Sequence, residues 1–149
     1  MKKVTKLKMK AVLENVPVVI ECVTKAARAA GIGAHSLYQI QLAVDEACAN
    51  VIEHAYEGME PGDMEVSCCL NDQAFCIRVR DWGKGFVPED IPEPDVDAPL
   101  EERCLGGLGM FLMRQAMDQV DYAFDPESGN ELTLTKRLQD AEEQCQAGH

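Results

Sequence analysis

Polar and apolar residues alternate from the start of the chain: Lys6, Lys8 and Lys10 fall on one side, Leu7, Met9 and Ala11 on the other. A period of two predicts a half-buried strand with a solvated, basic face. The period then changes. "ENVPVVIECVTKAARAAG" predicts a helix with Asn15 as N-cap, Pro17 in the first turn and Gly31 as its stop. A longer helix follows in "GAHSLYQIQLAVDEACANVIEHAYEG", where Leu37, Ile40, Val44, Ala47, Cys48, Val51 and Ala55 recur at three- and four-residue spacing before Gly58. "DMEVSCCLN" and "AFCIRVRDW" predict strands, and the short link Asn71-Asp72-Gln73 makes them an antiparallel hairpin.

Residues 87–104 have no period and carry four prolines and seven acids. A loop of that length in a compact domain is often a lid or binding element. "LGMFLMRQAMD" predicts a third helix, preceded and opened by the glycines of "GGLG", and "QVDYAFD" and "ELTLTKRL" predict two last strands around "PESGN". The polar stretch 139–149 reads as a tail on a domain of residues 1–138. The order β-α-α-β-β-loop-α-β-β predicts an α+β two-layer sandwich, one mostly antiparallel sheet with helices on one face.

Composition narrows the partners. The 149 residues suffice for one sizeable core, and a net charge of -12 argues against a nucleic-acid backbone as ligand. It does not exclude a nucleotide, which backbone N–H groups and a metal ion can hold. No stretch has the length of a membrane span, and the basic start lacks the apolar run of a signal peptide. Seven cysteines form no C-x-x-C pair, so they read as reduced, structural thiols in a cytoplasmic protein. The first strand's edge is a candidate contact for a second copy.

Three short motifs carry candidate chemistry. Glu46, Asn50 and His54, each four apart, form one helical stripe bordering the core. A carboxamide there can ligate Mg2+, and a carboxylate can accept a proton; a solvated polar face fits the same spacing. In "DWGKGF", Asp81 can accept a hydrogen bond from an exocyclic amine while Gly83 and Gly85 admit a flat ring, or the stretch is a turn that ends a strand. In "GGLGMFLM", Gly106, Gly107 and Gly109 lead into a helix whose free N–H groups can face phosphate, or they form a hinge. No Lys-Ser or Lys-Thr follows them, so this is not a P-loop.

In this order, the motifs resemble the N, G1 and G2 boxes of the ATP-binding domain shared by histidine kinases, DNA gyrase and MutL, the Bergerat fold. The resemblance spans nearly the whole chain and is closest to the stand-alone bacterial anti-sigma factors with serine/threonine kinase activity. It implies a histidine-kinase-like ATPase fold that uses ATP and Mg2+. It further implies phosphorylation of a STAS-domain antagonist and binding of a sigma factor, or else a nucleotide-gated binding module without kinase activity. By resemblance Glu46 is the general base, Asn50 the Mg2+ ligand and Asp81 the acceptor of the adenine amine. Gly83 and Gly85 shape the adenine pocket, and Gly106, Gly107, Leu108 and Gly109 approach the phosphates. Thr133 supplies a hydroxyl near adenine. The basic residue that such kinases often place just before the second glycine motif is displaced here to Arg103, with Lys84 as another cation. No role is assigned to His54.

Overall fold

The computed structural model describes residues 2–84, 105–125 and 127–138. In chain order the elements are β1 (Lys2–Lys10), α1 (Val16–Ala29), α2 (Ala34–Asn50), β2 (Asp63–Leu70), β3 (Ala74–Asp81), α3 (Leu105–Ala116), β4 (Gln119–Asp125) and β5 (Gly129–Arg137). A 3-10 turn, Leu13–Asn15, leads into α1, and a π-turn, Val51–Ala55, continues α2.

All strand pairings are antiparallel and the order across the sheet is β1-β2-β3-β5-β4. The α+β two-layer expectation is therefore met. Alternation decides which side of each strand is buried. Along β5, Asn130, Leu132, Leu134 and Lys136 are buried, whereas Glu131, Thr133 and Thr135 between them are half-exposed. The inward row packs with Phe75, Ile77 and Val79 of β3 against Ile40, Val44, Ala47 and Cys48 of α2. The outward row carries ion pairs, including Lys6 to Glu65 at 3.6 Å and Arg80 to Glu131 at 2.7 Å.

The helices follow their apolar faces. In α1, Val19, Val23, Ala26 and Ala27 are buried. Gly31 ends it at φ +84°, a left-handed conformation that glycine adopts without steric cost. Asn15 sits at the N-cap, but its side chain donates to the Lys10 carbonyl at 2.8 Å and caps no helical N–H. The expectation for Asn15 is corrected accordingly: the intervening 3-10 turn turns its amide back toward β1.

The third helix also begins earlier than its spacing predicts, at Leu105, so Gly106 and Gly107 lie within its first turn rather than before it, and Gly109 follows close behind. Glycine costs a helix roughly 1 kcal/mol per residue relative to alanine. The packing of α3 against α2 offsets that cost.

Lys136 is an inward lysine on β5, only 5% exposed. Its ammonium donates to Gln39 Oε1 on α2 at 2.5 Å and to the Ala116 carbonyl at 2.9 Å. A cation at a helix C-terminus satisfies an orphan carbonyl and complements the helix dipole. The Lys136→Met variant keeps the apolar stem but strands two acceptors, so it should lose about 1–3 kcal/mol in urea denaturation. Lys136→Gln, which keeps a donor, should recover part of the loss.

Candidate functional site

The site lies where the C-terminal end of α2 meets the end of β3 and the start of α3. Glu46 is half-buried on the side of α2 that faces α3. Burial holds its carboxyl above the ordinary glutamate range, and the neighbouring charges of Asp45 and Glu53 add to the shift. One turn on, Asn50 is 8% exposed, and its Nδ2 donates weakly to Met110 Sδ at 3.8 Å. Asn50 thus enters the core rather than bordering it.

Gly109 lies against both groups. A Cβ at Gly109 would sit 2.9 Å from Glu46 Oε2 and 3.7 Å from Asn50 Oδ1. The missing side chain leaves two oxygen donors, one carboxylate and one carboxamide, facing one small space. Both are hard ligands suited to Mg2+, so the donor set fits that ion.

The π-turn breaks the stripe after Asn50. A π-turn adds a residue per turn, so the residues beyond it rotate away from the preceding face. His54 is exposed there, 3.8 Å from Glu53, and does not join Glu46 and Asn50. The turn also presents the Ala55 carbonyl to the segment after β3, where it accepts the Lys84 N–H at 2.6 Å. Gly83 lies so close that any Cβ would overlap that carbonyl.

Asp81 closes β3 and is 6% exposed. Its Oδ1 accepts from the Gly83 N–H at 3.0 Å and from Asn130 Nδ2 at 2.8 Å. Burial pushes its carboxyl up, against the pull of those two bonds. Asn130 Nδ2 also donates to the Gly83 carbonyl at 3.1 Å, while its Oδ1 is buried without a partner. Between Asp81 and Asn50 lies a cavity of about 20 Å³ walled by Ala47, Val51, Ala55, Val79, Tyr122 and Leu132. That is room for about one water. A purine is several times larger and would enter only with outward movement of a wall.

Trp82 borders this site on the other side of the sheet. Its backbone N–H donates to Tyr56 Oη at 3.0 Å, and its indole has the Lys8 ammonium 4.9 Å from its centroid. A Cβ at Gly129 would come within 3.0 Å of the indole, and Gly129 has φ +100°.

The structure brings together Glu46, Asn50 and Gly109, and across the cavity Asp81 and Gly83. Gly106, Gly107 and Leu108 are in the first turn of α3; Gly85, Arg103 and the 87–104 loop lie outside the described residues. The structure does not bring Thr133 to the site. It pairs with Arg78 and Asp121 on the outer face, opposite to Asp81. Asn130 occupies the β5 position directly across from Asp81, and sequence reasoning missed it. The available signal was parity: the first residue after the Gly129 turn faces the same side as the last residue of β3.

Cys22, Cys48, Cys68, Cys69 and Cys76 are free thiols, and burial pushes Cys48 and Cys68 up to about 12. No group of three or more metal-ligating side chains occurs among the described residues. Nor is any described helix long and apolar enough to cross a membrane.

The sequence pattern of the family described as "Histidine kinase-like ATPase domain" matches residues 9–136. The chain belongs to that family. As a histidine kinase-like ATPase domain it has curated relatives of similar length. It is 37% identical over 130 residues to "Serine-protein kinase RsbW" of Halalkalibacterium halodurans, covering 85% of this chain and 78% of the relative. "Serine-protein kinase RsbW" of Listeria monocytogenes is 32% identical over 113 residues, 73% of this chain and 71% of the relative. "Anti-sigma F factor" of Bacillus licheniformis is 29% identical over 109 residues, 73% and 75% of the two chains. Among solved structures, a Mycobacterium tuberculosis protein with RsbU and RsbW domains superposes with a TM-score of 0.63 at 18% identity. That match covers 89% of this chain and 32% of the longer one, and it shows the fold.

Proposed function

We propose that this histidine kinase-like ATPase domain is an anti-sigma protein serine kinase that transfers phosphate from ATP to a STAS-domain antagonist and binds a sigma factor in the cytoplasm. The observation that carries the reading is the side-chain-free space at Gly109, faced by Glu46 Oε2 and Asn50 Oδ1, with Asp81 across the adjoining cavity. The names of the relatives supply the reaction class.

Each residue then has one task. Asp81, already oriented by Gly83 and Asn130, accepts the exocyclic amine of adenine. The first-turn N–H groups at Gly106 and Gly107 have no intrahelical partners and can face phosphate. Asn50 would hold Mg2+, which neutralises phosphate charge when bound. Glu46 orients the serine hydroxyl and takes its proton. The phosphoserine then carries nearly two negative charges, which the acidic surface of the kinase repels.

Incubation with labelled ATP and a STAS-domain antagonist should label a serine of the antagonist. Mg-ATP binding without transfer would instead support a nucleotide-gated binding module, and no binding at all would remove both readings.

Asp81→Asn should lower Mg-ATP affinity about 10- to 100-fold by calorimetry, the loss of a charge-assisted hydrogen bond. The same variant should not be less stable at neutral pH. A carboxyl whose folded pKa is raised costs stability as pH rises through that value, because the folded state must then lose its extra proton. Asparagine has no such titration, so equal or greater stability in urea at pH 7 is expected.

A further inference from the structure

The helix layer carries a second concavity. An open groove of about 360 Å³ runs between α1 and α2, formed by Ile20 on one side and Tyr38, Gln41, Leu42 and Asp45 on the other. Gln41 Nε2 donates to Thr24 Oγ1 at 3.0 Å, which ties the two helices beneath it. Tyr38 is 64% exposed, a large apolar ring left in solvent beside the half-buried Ile20 and Leu42. Asp45 is exposed and has no ion-pair partner among the described residues.

The position of the groove gives it meaning. Leu42 and Glu46 are one turn apart on α2, and residues four apart on a helix are surface neighbours with Cβ atoms roughly 5–6 Å apart. Asp45 and Leu42 thus border the groove, and Leu42 forms the crest between it and Glu46. A chain seated against Tyr38 and Leu42 needs only to cross that crest to deliver a hydroxyl to the carboxylate.

We infer that this groove docks the protein substrate, through a segment that sets an apolar side chain against Ile20, Tyr38 and Leu42 and a lysine or arginine against Asp45, next to the acceptor serine. The inference rests on the kinase reading above. Charge complementarity selects the occupant, since an unpaired carboxylate beside an apolar patch favours a cationic, amphipathic segment over an acidic one.

The test uses the full chain and a STAS-domain protein that it phosphorylates, with KM for protein and for ATP measured separately. Asp45→Lys should raise the protein KM at least about tenfold and leave the ATP KM within about twofold, because Asp45 lines the groove and not the cavity beside Asp81; its effect on the Glu46 carboxyl falls on kcat. Tyr38→Ala should raise the protein KM in the same way. Reversing the substrate's nearest lysine or arginine to glutamate should restore the Asp45→Lys enzyme. An unchanged protein KM, or no rescue by any such reversal, overturns the proposal. So does a loss confined to sigma-factor binding, which would assign the groove to that partner. If Mg-ATP binds but no STAS protein is phosphorylated by the wild type, the kinase reading fails and the docking inference falls with it.

Discussion

Glu46→Gln should slow serine phosphorylation about 10²- to 10⁴-fold, the usual contribution of a positioned general base. Mg-ATP affinity should change far less, because Asp81 and the first turn of α3 are untouched. Glutamine matches glutamate in size, so the space at Gly109 is kept and the variant should fold. The pH dependence supports the same assignment. Burial and two neighbouring acids raise the Glu46 carboxyl above the ordinary glutamate range. The active form is the carboxylate, so the rate should rise with pH as Glu46 loses its proton and then level off. In the glutamine variant this acidic limb should disappear from the residual rate. A residual rate with the same acidic limb would reassign the base.

Gly83→Ala should be as severe, by a different route. The new Cβ would overlap the Ala55 carbonyl, a backbone atom held by the π-turn and engaged by Lys84 N–H. No flexible side chain is there to give way, so the backbone must shift. Overpacking of this kind costs about 3 kcal/mol, which corresponds to a fall of about 6–12 °C in melting temperature for a domain of this size. The Gly83 N–H and carbonyl both bond within the Asp81–Asn130 cluster, so the shift also disorients Asp81, the proposed adenine acceptor. Thermal denaturation and Mg-ADP calorimetry should both show the loss. Wild-type nucleotide affinity in a folded Gly83→Ala protein would separate the turn from the site.

Most of the architecture was legible because it rests on period and punctuation. The alternation of β1, the buried face of α1 and the left-handed stops at Gly31 and Gly58 all express local physics. Three features escaped because tertiary contacts decide them. The π-turn at Val51–Ala55 has no local signature, yet it sends His54 into solvent and fixes Gly83. The first turns of α3 are glycine-rich, and only packing on α2 extends the helix back to Leu105. Thr133 follows from the family resemblance alone, whereas strand parity places Asn130 beside Asp81. Glu46, Asn50, Asp81 and Gly109 were legible as motifs. Their convergence on the Gly109 space and the cavity beside it was not, because it depends on how α2, β3 and α3 meet.

The placement of Trp82 has a practical consequence. It is the only tryptophan in the chain, it directly follows Asp81, and Lys8 lies over its half-exposed ring. The protein therefore carries an intrinsic fluorophore one residue from the proposed adenine acceptor, tied through Tyr56 to the segment after the π-turn. Of the cavity's lining residues, Asp81 is the one joined directly to Trp82, so a nucleotide that moves Asp81 should change native emission, without a label and without a phosphate acceptor.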